Sequence, residues 1–320
     1  MSEFNVKAIF SADIAKFKAG VAAGIGESER LNNFNKMNAK GIGETFKGVG
    51  RGMTMVLTVP IAGLMGATSK MSMEFEGAMA GVRKTTDLTD KEFAVLTNDI
   101  RKMSKVLPAS AVEIAGVAEA AEQLGSEKQH LTGFAKTMIY LGESTNLTAD
   151  QAAIDLARLA NITQMPQTEF GRLGSTIVDL GNNFATSEAE IVSMGLRLAG
   201  TVKQVGMTEH QIMGIATAMT SVGINAEAGG SSMSRVMQKM NTAVISGSDK
   251  VEGFAKVAGM SASEFATAWK EKPQYALTEF VKGIGKANAS GEDTITMLKE
   301  LGINGIREVD VMQRLSGARR

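Results

Sequence analysis

Apolar residues recur at helical spacing along most of this chain, and the breaks between the recurrences are short and rich in Gly, Ser and Thr. Seven times a Ser or Thr stands three residues ahead of Glu or Gln where an apolar-periodic stretch begins. That spacing is the signature of a helix N-terminal capping box. The pairs are Thr89 and Glu92, Ser110 and Glu113, Ser126 and Gln129, Thr148 and Gln151, Ser187 and Glu190, Thr208 and Gln211, and Ser261 and Glu264. In such a box the hydroxyl accepts the amide three residues on, while the Glu or Gln side chain accepts the cap's own amide, so two orphaned donors are satisfied together. Gly125, Gly142, Gly206 and Gly259 stand shortly before new caps, where the left-handed residue that closes a helix is expected. The pattern predicts a mainly α fold, a succession of short capped helices of about 12 to 20 residues packed as helical hairpins or a bundle. Residues 5–12 (NVKAIFSA) fit a short N-terminal β-strand, and Asp13 caps an Ala- and Lys-rich helix after it.

Three parts are expected along the chain: residues 1–50 as strand, helix and Gly-rich hinge, residues 51–72 as an apolar Pro-containing segment, and residues 73–320 as a helical core domain. No charge occurs between Arg51 and Lys70, and the run MTMVLTVPIAGLMGATS is interrupted by Pro60, which would kink it. Its length sits at the short edge of the roughly 17 to 25 residues that span a bilayer. The favoured reading is a buried or partner-packed helix, with conditional membrane insertion as the alternative. Met55, Val56, Leu57, Val59, Pro60, Ile61, Leu64 and Met65 are the residues that would insert or pack.

Composition narrows the functional classes. Apolar residues make up 44% of the chain but aromatics only 5%, with 35 Gly and 21 Met, so the core must be built from small and flexible side chains that tolerate rearrangement. The 34 basic residues are matched by 34 acidic ones, leaving no net field to attract nucleic acid, and no sequence-specific nucleic-acid binding is expected. The absence of Cys removes disulfides, thiolate catalysis and cysteine zinc sites. The first residues, MSEFNVK, lack the basic and apolar regions of a secretory signal.

No arrangement of residues calls for catalysis, a cofactor or a metal. His130 and His210 read as exposed first-turn residues of capped helices, without metal-ligand spacing. The acidic run from Asp87 to Glu92 fits a helix N-terminus, where the macrodipole favours anions. The stretch AEAGGSS over residues 226–232 lacks the ending of a phosphate-binding loop and reads as a turn between helices. Glu113, Glu119 and Glu122 lie on neighbouring helix faces, but Trp269 is the sole Trp and nothing suggests a sugar platform.

The order of segments resembles the core region of phage tail tape measure proteins, a family found in long-tailed phages and prophages. Four stretches carry the resemblance: LTVPIAGLMGAT leading into FEGAMAGVRKTTDLT, then SKVLPASAVEIAGVAEAAEQLG, then TNLTADQAAIDLARLANI, and the long run from Phe184 to Met237. Together they lie within about residues 53 to 315. The resemblance implies a non-enzymatic structural protein of the virion, assembled in the host cytoplasm, which occupies the tail lumen or tip, sets tail length and leaves ahead of the DNA. The implied partners are the tail tube protein, tail-tip and distal tail proteins, assembly chaperones, other copies in a small homo-oligomer such as a trimer, and the host membrane at ejection. Family members are far longer, so the chain is expected to be a fragment, a processed product or a short member. A molecular ruler needs an unbroken helix rising about 1.5 Å per residue, and the caps between Thr89 and Trp269 preclude one there. The other functional class to weigh is a membrane-active helical protein inserting residues 53–69; a tail-associated peptidoglycan hydrolase would need a catalytic module that the sequence does not display.

Overall fold

The computed structural model describes the backbone of residues 54–318 and the side chains of residues 70–318. The expected strand over residues 5–12, the helix after Asp13 and the hinge over residues 41–52 lie outside the described residues. Fourteen α-helices fill the described part, which contains no strand. They are α1 (Thr54–Thr85), α2 (Asp90–Met103), α3 (Ala111–Gln123), α4 (Leu131–Ser144), α5 (Ala149–Thr163), α6 (Phe170–Asn183) and α7 (Glu188–Gln204). There follow α8 (Glu209–Ser221), α9 (Ala226–Ser246), α10 (Lys250–Ala258), α11 (Ala262–Glu271), α12 (Pro273–Ala289), α13 (Thr294–Glu300) and α14 (Ile306–Ser316). The apolar run and the Phe75-containing stretch after it belong to one helix, α1, with Pro60 within it.

Contacts divide the chain into two compact units, whose boundary falls at residues 145–147 and again inside α5. In the first, α1 and α4 pack against α3, and α2 packs against α3 and α4. Phe75, Met79 and Val82 form the buried stripe of α1, at the helical spacing of 4 and 3 that puts them on one face. Ile114, Val117 and Ala121 are buried on α3, the helix that α1 and α4 both pack against, and Phe134, Met138 and Leu141 are buried on α4. Gly81 belongs to this contact because a β-carbon there would stand 2.4 Å from the Glu119 carboxylate. Gly142, expected to end a helix, lies inside the last turn of α4 instead; a β-carbon on it would come 2.8 Å from the Ala149 amide nitrogen.

In the second unit α7 packs against α6, α8 and α9, while α10, α11 and α12 pack on one another and α14 bridges α9 and α12. The α7 to α9 group is held by aliphatic and Met side chains, among them Met194, Met213, Met219, Met233 and Met237, all buried. The α10 to α12 group is held by rings: Phe254 lies 6.2 Å from Phe265 and 5.5 Å from Phe280, and Phe265 stacks on Trp269 at 6.2 Å. Each such ring pair adds about 0.5 to 1.5 kcal/mol beyond its area burial. Trp269 satisfies its indole by donating Nε1–H to Asn241 Oδ1 at 3.2 Å, so the ring cluster is tied to α9.

The Gly-Gly pair of AEAGGSS corrects the expectation of a turn. Gly229 and Gly230 are buried in the first turns of α9, despite the roughly 1 kcal/mol that each Gly costs a helix relative to Ala. Packing overrides that propensity: a β-carbon on Gly229 would sit 2.0 Å from Ile224 Cγ2, and one on Gly230 would sit 2.7 Å from Arg197 Cβ of α7.

Candidate functional site

Several helix starts are built from side chain to backbone bonds. Thr89, Ser110, Ser187, Thr208 and Ser261 each accept the amide of the residue three positions on, and Glu92, Glu113, Glu190, Gln211 and Glu264 each accept the cap amide in return. The Glu113 Oε2 to Ser110 amide distance is 2.7 Å and the Glu190 Oε2 to Ser187 amide distance is 3.0 Å. Hydrogen bonds to the charged form favour it. Backbone bonds from Ser110, Ser187 and Ser261, then their hydroxyls, therefore hold Glu113, Glu190 and Glu264 below the usual carboxylate range, and for Glu92 the Thr89 hydroxyl leads. Thr148 caps α5 by accepting the Gln151 amide at 3.1 Å.

Ser126 and Gln129 do not start an α-helix. Gly125 takes φ +84°, the Gly125 amide donates to Glu122 and the Ser126 amide donates back to Ala121 at 3.0 Å, so Ser126 finishes α3 rather than opening the next helix. A one-turn 3₁₀ segment, Lys128–His130, intervenes before α4, and Gln129 bonds to Glu127 instead. Two caps lie outside the Ser/Thr pattern: Asn225 accepts the Glu227 amide at 2.9 Å, and Asp293 accepts the amides of Ile295 and Thr296, both at 3.1 Å. Asn and Asp are strong cap residues, so these two starts carry a cap signal in the sequence as well.

The side chains of Met55, Val56, Leu57, Val59, Pro60, Ile61, Leu64 and Met65 lie outside the described part, though the backbone there is helical. Among the described residues no helix is long and apolar enough to cross a membrane. His130 belongs to the 3₁₀ turn, and its Nε2 lies 3.6 Å from Glu127 Oε2. His210 is half-buried in the first turn of α8 rather than exposed. Burial first, and the Arg172 guanidinium second, pull it below the usual imidazole range against the opposing pull of Glu209 and Glu169. Glu113, Glu119 and Glu122 are not brought together as an acid and base pair: Glu113 serves the α3 cap and Glu119 accepts from Gln123 at 3.2 Å. Glu122 is pushed up by burial, with Lys128 opposing, and its Oε1 has no hydrogen-bond partner among the described residues. No group of three or more His, Asp or Glu among the described residues could hold a metal ion.

A concave surface of another kind lies in the second unit. A groove of about 500 Å³ runs along α9 and is walled by the start of α10 and the turn after α13. Arg235, Gln238, Lys239, Thr242 and Ser246 lie along α9 at spacings of 3, 1, 3 and 4, which places them on one face of the helix. Ala243 and Leu301, both buried, form an apolar floor, and Lys250 closes one end. Gly302 adopts φ +86° beside it, and a β-carbon there would meet the Lys250 ammonium at 2.9 Å. Lys239 Nζ bonds to Glu308 Oε2 at 2.5 Å, and Glu308 is 3% exposed, so one of the three cations is neutralised within the fold. No Glu308, Lys239 or groove neighbour was singled out from the sequence, because the groove unites residues about seventy positions apart.

Residues 97–286, from within α2 to within α12, match the phage-related minor tail protein family. Over 230 residues the chain is 24% identical to the tape measure protein of Pneumococcus phage Dp-1, a match that covers 70% of this chain and 19% of that relative's length. No solved structure matches the chain. A match across well over half of its length, on a fold of short capped helices, shows that the chain belongs to the phage-related minor tail protein family.

Proposed function

We propose that the chain is the folded, repeatedly broken part of a tape measure protein, a structural component of the virion in the tail lumen or tip that takes part in setting tail length and is ejected before the DNA. The observation that supports this reading most is the family match over residues 97–286, joined to the similarity to a tape measure protein. The fold gives it a physical form. Helices of 7 to 21 residues after α1 cannot act as a continuous ruler, so length would be set by chain outside this segment. The aliphatic and Met core of α7 to α9 suits rearrangement inside a tube, since Met adapts to changing surroundings without specifying one packing. The partners on this reading are the tail tube protein, tail-tip proteins, assembly chaperones and a few copies of the same chain about the tail axis, with assembly in the host cytoplasm. Residues 1–50, 51–72 and 73–320 serve as three parts on this reading, with α1 running unbroken through residue 72 and the helical core comprising parts of two compact units.

Phages carrying a ten-residue insertion in the turn between α12 and α13 test it. Assembled tails of unchanged length, with the protein present in the particles and lost from them after ejection, are expected. Particles that never contain the protein would overturn the reading. The charge-free run between Arg51 and Lys70 supports a second reading, in which residues 53–69 enter the host envelope at ejection. Liposome flotation with and without that segment tests it, and equal flotation would reject it.

A further inference from the structure

The groove along α9 has chemistry that neither the caps nor the family match uses. Among the described residues no ion pair engages Arg235 or Lys250, whereas Lys239 is already held by Glu308. Lys250 moreover opens α10, where a cation meets the positive end of the helix dipole, and the Asp249 N-cap makes no side-chain cap bond there. Glu252 in the first turn of α10 offsets part of that field. The Lys250 ammonium reaches away from that end and lies against Gly302, just past the C-terminus of α13, where the helix dipole favours a cation but no carboxylate among the described residues pairs with it.

We infer that this groove is a docking site for an acidic segment of another protein, one that rests an aliphatic residue on Ala243 and Leu301 and sets carboxylates against Arg235 and Lys250. Two free cations flanking an apolar floor match two carboxylates flanking an aliphatic side chain, and Thr242 and Ser248 stand beside them as hydroxyl donors. A nucleic-acid strand fits less well. No aromatic side chain lines the groove to stack a base, and the chain as a whole has equal numbers of acidic and basic residues. A substrate to be transformed fits less well still, because the lining offers no His or free carboxylate. The inference rests on the tail reading only in expecting a protein partner.

The test uses the isolated full chain, so its failure leaves the tail proposal standing. A fluorescently labelled octapeptide, Glu-Glu-Leu-Glu-Glu-Leu-Glu-Glu, is titrated by anisotropy at low and at physiological salt. Binding is expected that weakens with salt, falls at least tenfold for the doubly substituted Arg235→Gln, Lys250→Gln protein, and falls at least tenfold when the peptide's Glu residues are replaced by Gln. Circular dichroism melting of the variant at the wild-type temperature shows that the loss is not unfolding. No binding at 1 mM peptide, or equal binding by the variant, overturns the inference. So does tighter binding of an eight-nucleotide oligo-dT that depends on the same two residues, which would assign the groove to nucleic acid.

Discussion

Gly283 of α12 lies so close to Val257 of α10 that a β-carbon on it would stand 1.7 Å from the Val257 carbonyl oxygen. The obstacle is backbone, so no rotamer change can relieve it, and the two helices must separate for any larger residue to fit. Gly200, in the interior of α7, is exposed and would meet nothing within 4 Å. Identical substitutions therefore have opposite signs. Gly283→Ala is expected to destabilise by about 3 kcal/mol through overpacking, and Gly200→Ala to stabilise by about 1 kcal/mol by raising helix propensity and restricting the unfolded chain. Urea unfolding of the two variants against wild type checks both, and a Gly283→Ala protein as stable as wild type would refute the close approach.

Gln164 has φ +57°, the only positive value of a non-Gly residue among the described residues. It closes α5 in the manner of the Gly residues elsewhere, for the Met165 amide donates back to Ala160 at 3.0 Å. A side chain in the left-handed region costs about 1 to 2 kcal/mol, and Gly does not carry that cost. After loss of the exposed Gln164 Nε2 bond to Asn161 and the added freedom of the unfolded chain, Gln164→Gly should gain about 0.5 to 1 kcal/mol. Thermal melting should show a rise of about 1 to 4 °C.

Lys239→Met removes the cation that faces buried Glu308 and leaves its carboxylate with only the Gly305 amide, a 3.3 Å contact. Breaking a buried pair costs about 3 to 5 kcal/mol; with Lys239 about a third exposed, a loss nearer 2 kcal/mol is expected. Adding Glu308→Gln to that variant should recover much of the loss, because the uncompensated charge is then gone. A double variant no more stable than Lys239→Met would show that packing, and not charge, dominates at this position.

Stability should fall in two steps on acidification. His210 has a folded pKa below its unfolded value of about 6.5, so the unfolded chain binds more protons, and this contribution is present above about pH 6.5 and lost as pH falls below it. Glu113, Glu190 and Glu264 also have lowered folded values; their contribution is present above the unfolded value of about 4.3 and is lost as pH falls through the folded values beneath it. His210→Gln should flatten the upper step alone, and Ser187→Ala with Glu190→Gln should reduce the lower one. Denaturant midpoints measured from pH 7 to pH 3 separate the two, and an upper step unchanged in His210→Gln would exclude this histidine as its source.

The sequence alone determined where six of the fourteen described helices begin. A capping box needs only four consecutive residues and their own backbone, so Ser187 with Glu190 or Ser261 with Glu264 is legible without any knowledge of the fold. The same local logic misread Ser126, because a Ser after a left-handed Gly can end one helix as well as start another, and only the bond from its amide to Ala121 distinguishes the cases. Tertiary structure decided the rest. Gly229 and Gly230 spell a turn by propensity, yet they sit inside α9 because Ile224 and Arg197 leave no room for a β-carbon. The groove of Arg235, Lys239 and Lys250 depends on Glu308 and on the turn at Gly302, which no local spacing connects to α9. Capping is an interaction within one turn of chain, whereas close approach and charge pairing between helices are properties of the packed arrangement, and those exist only after the chain has folded.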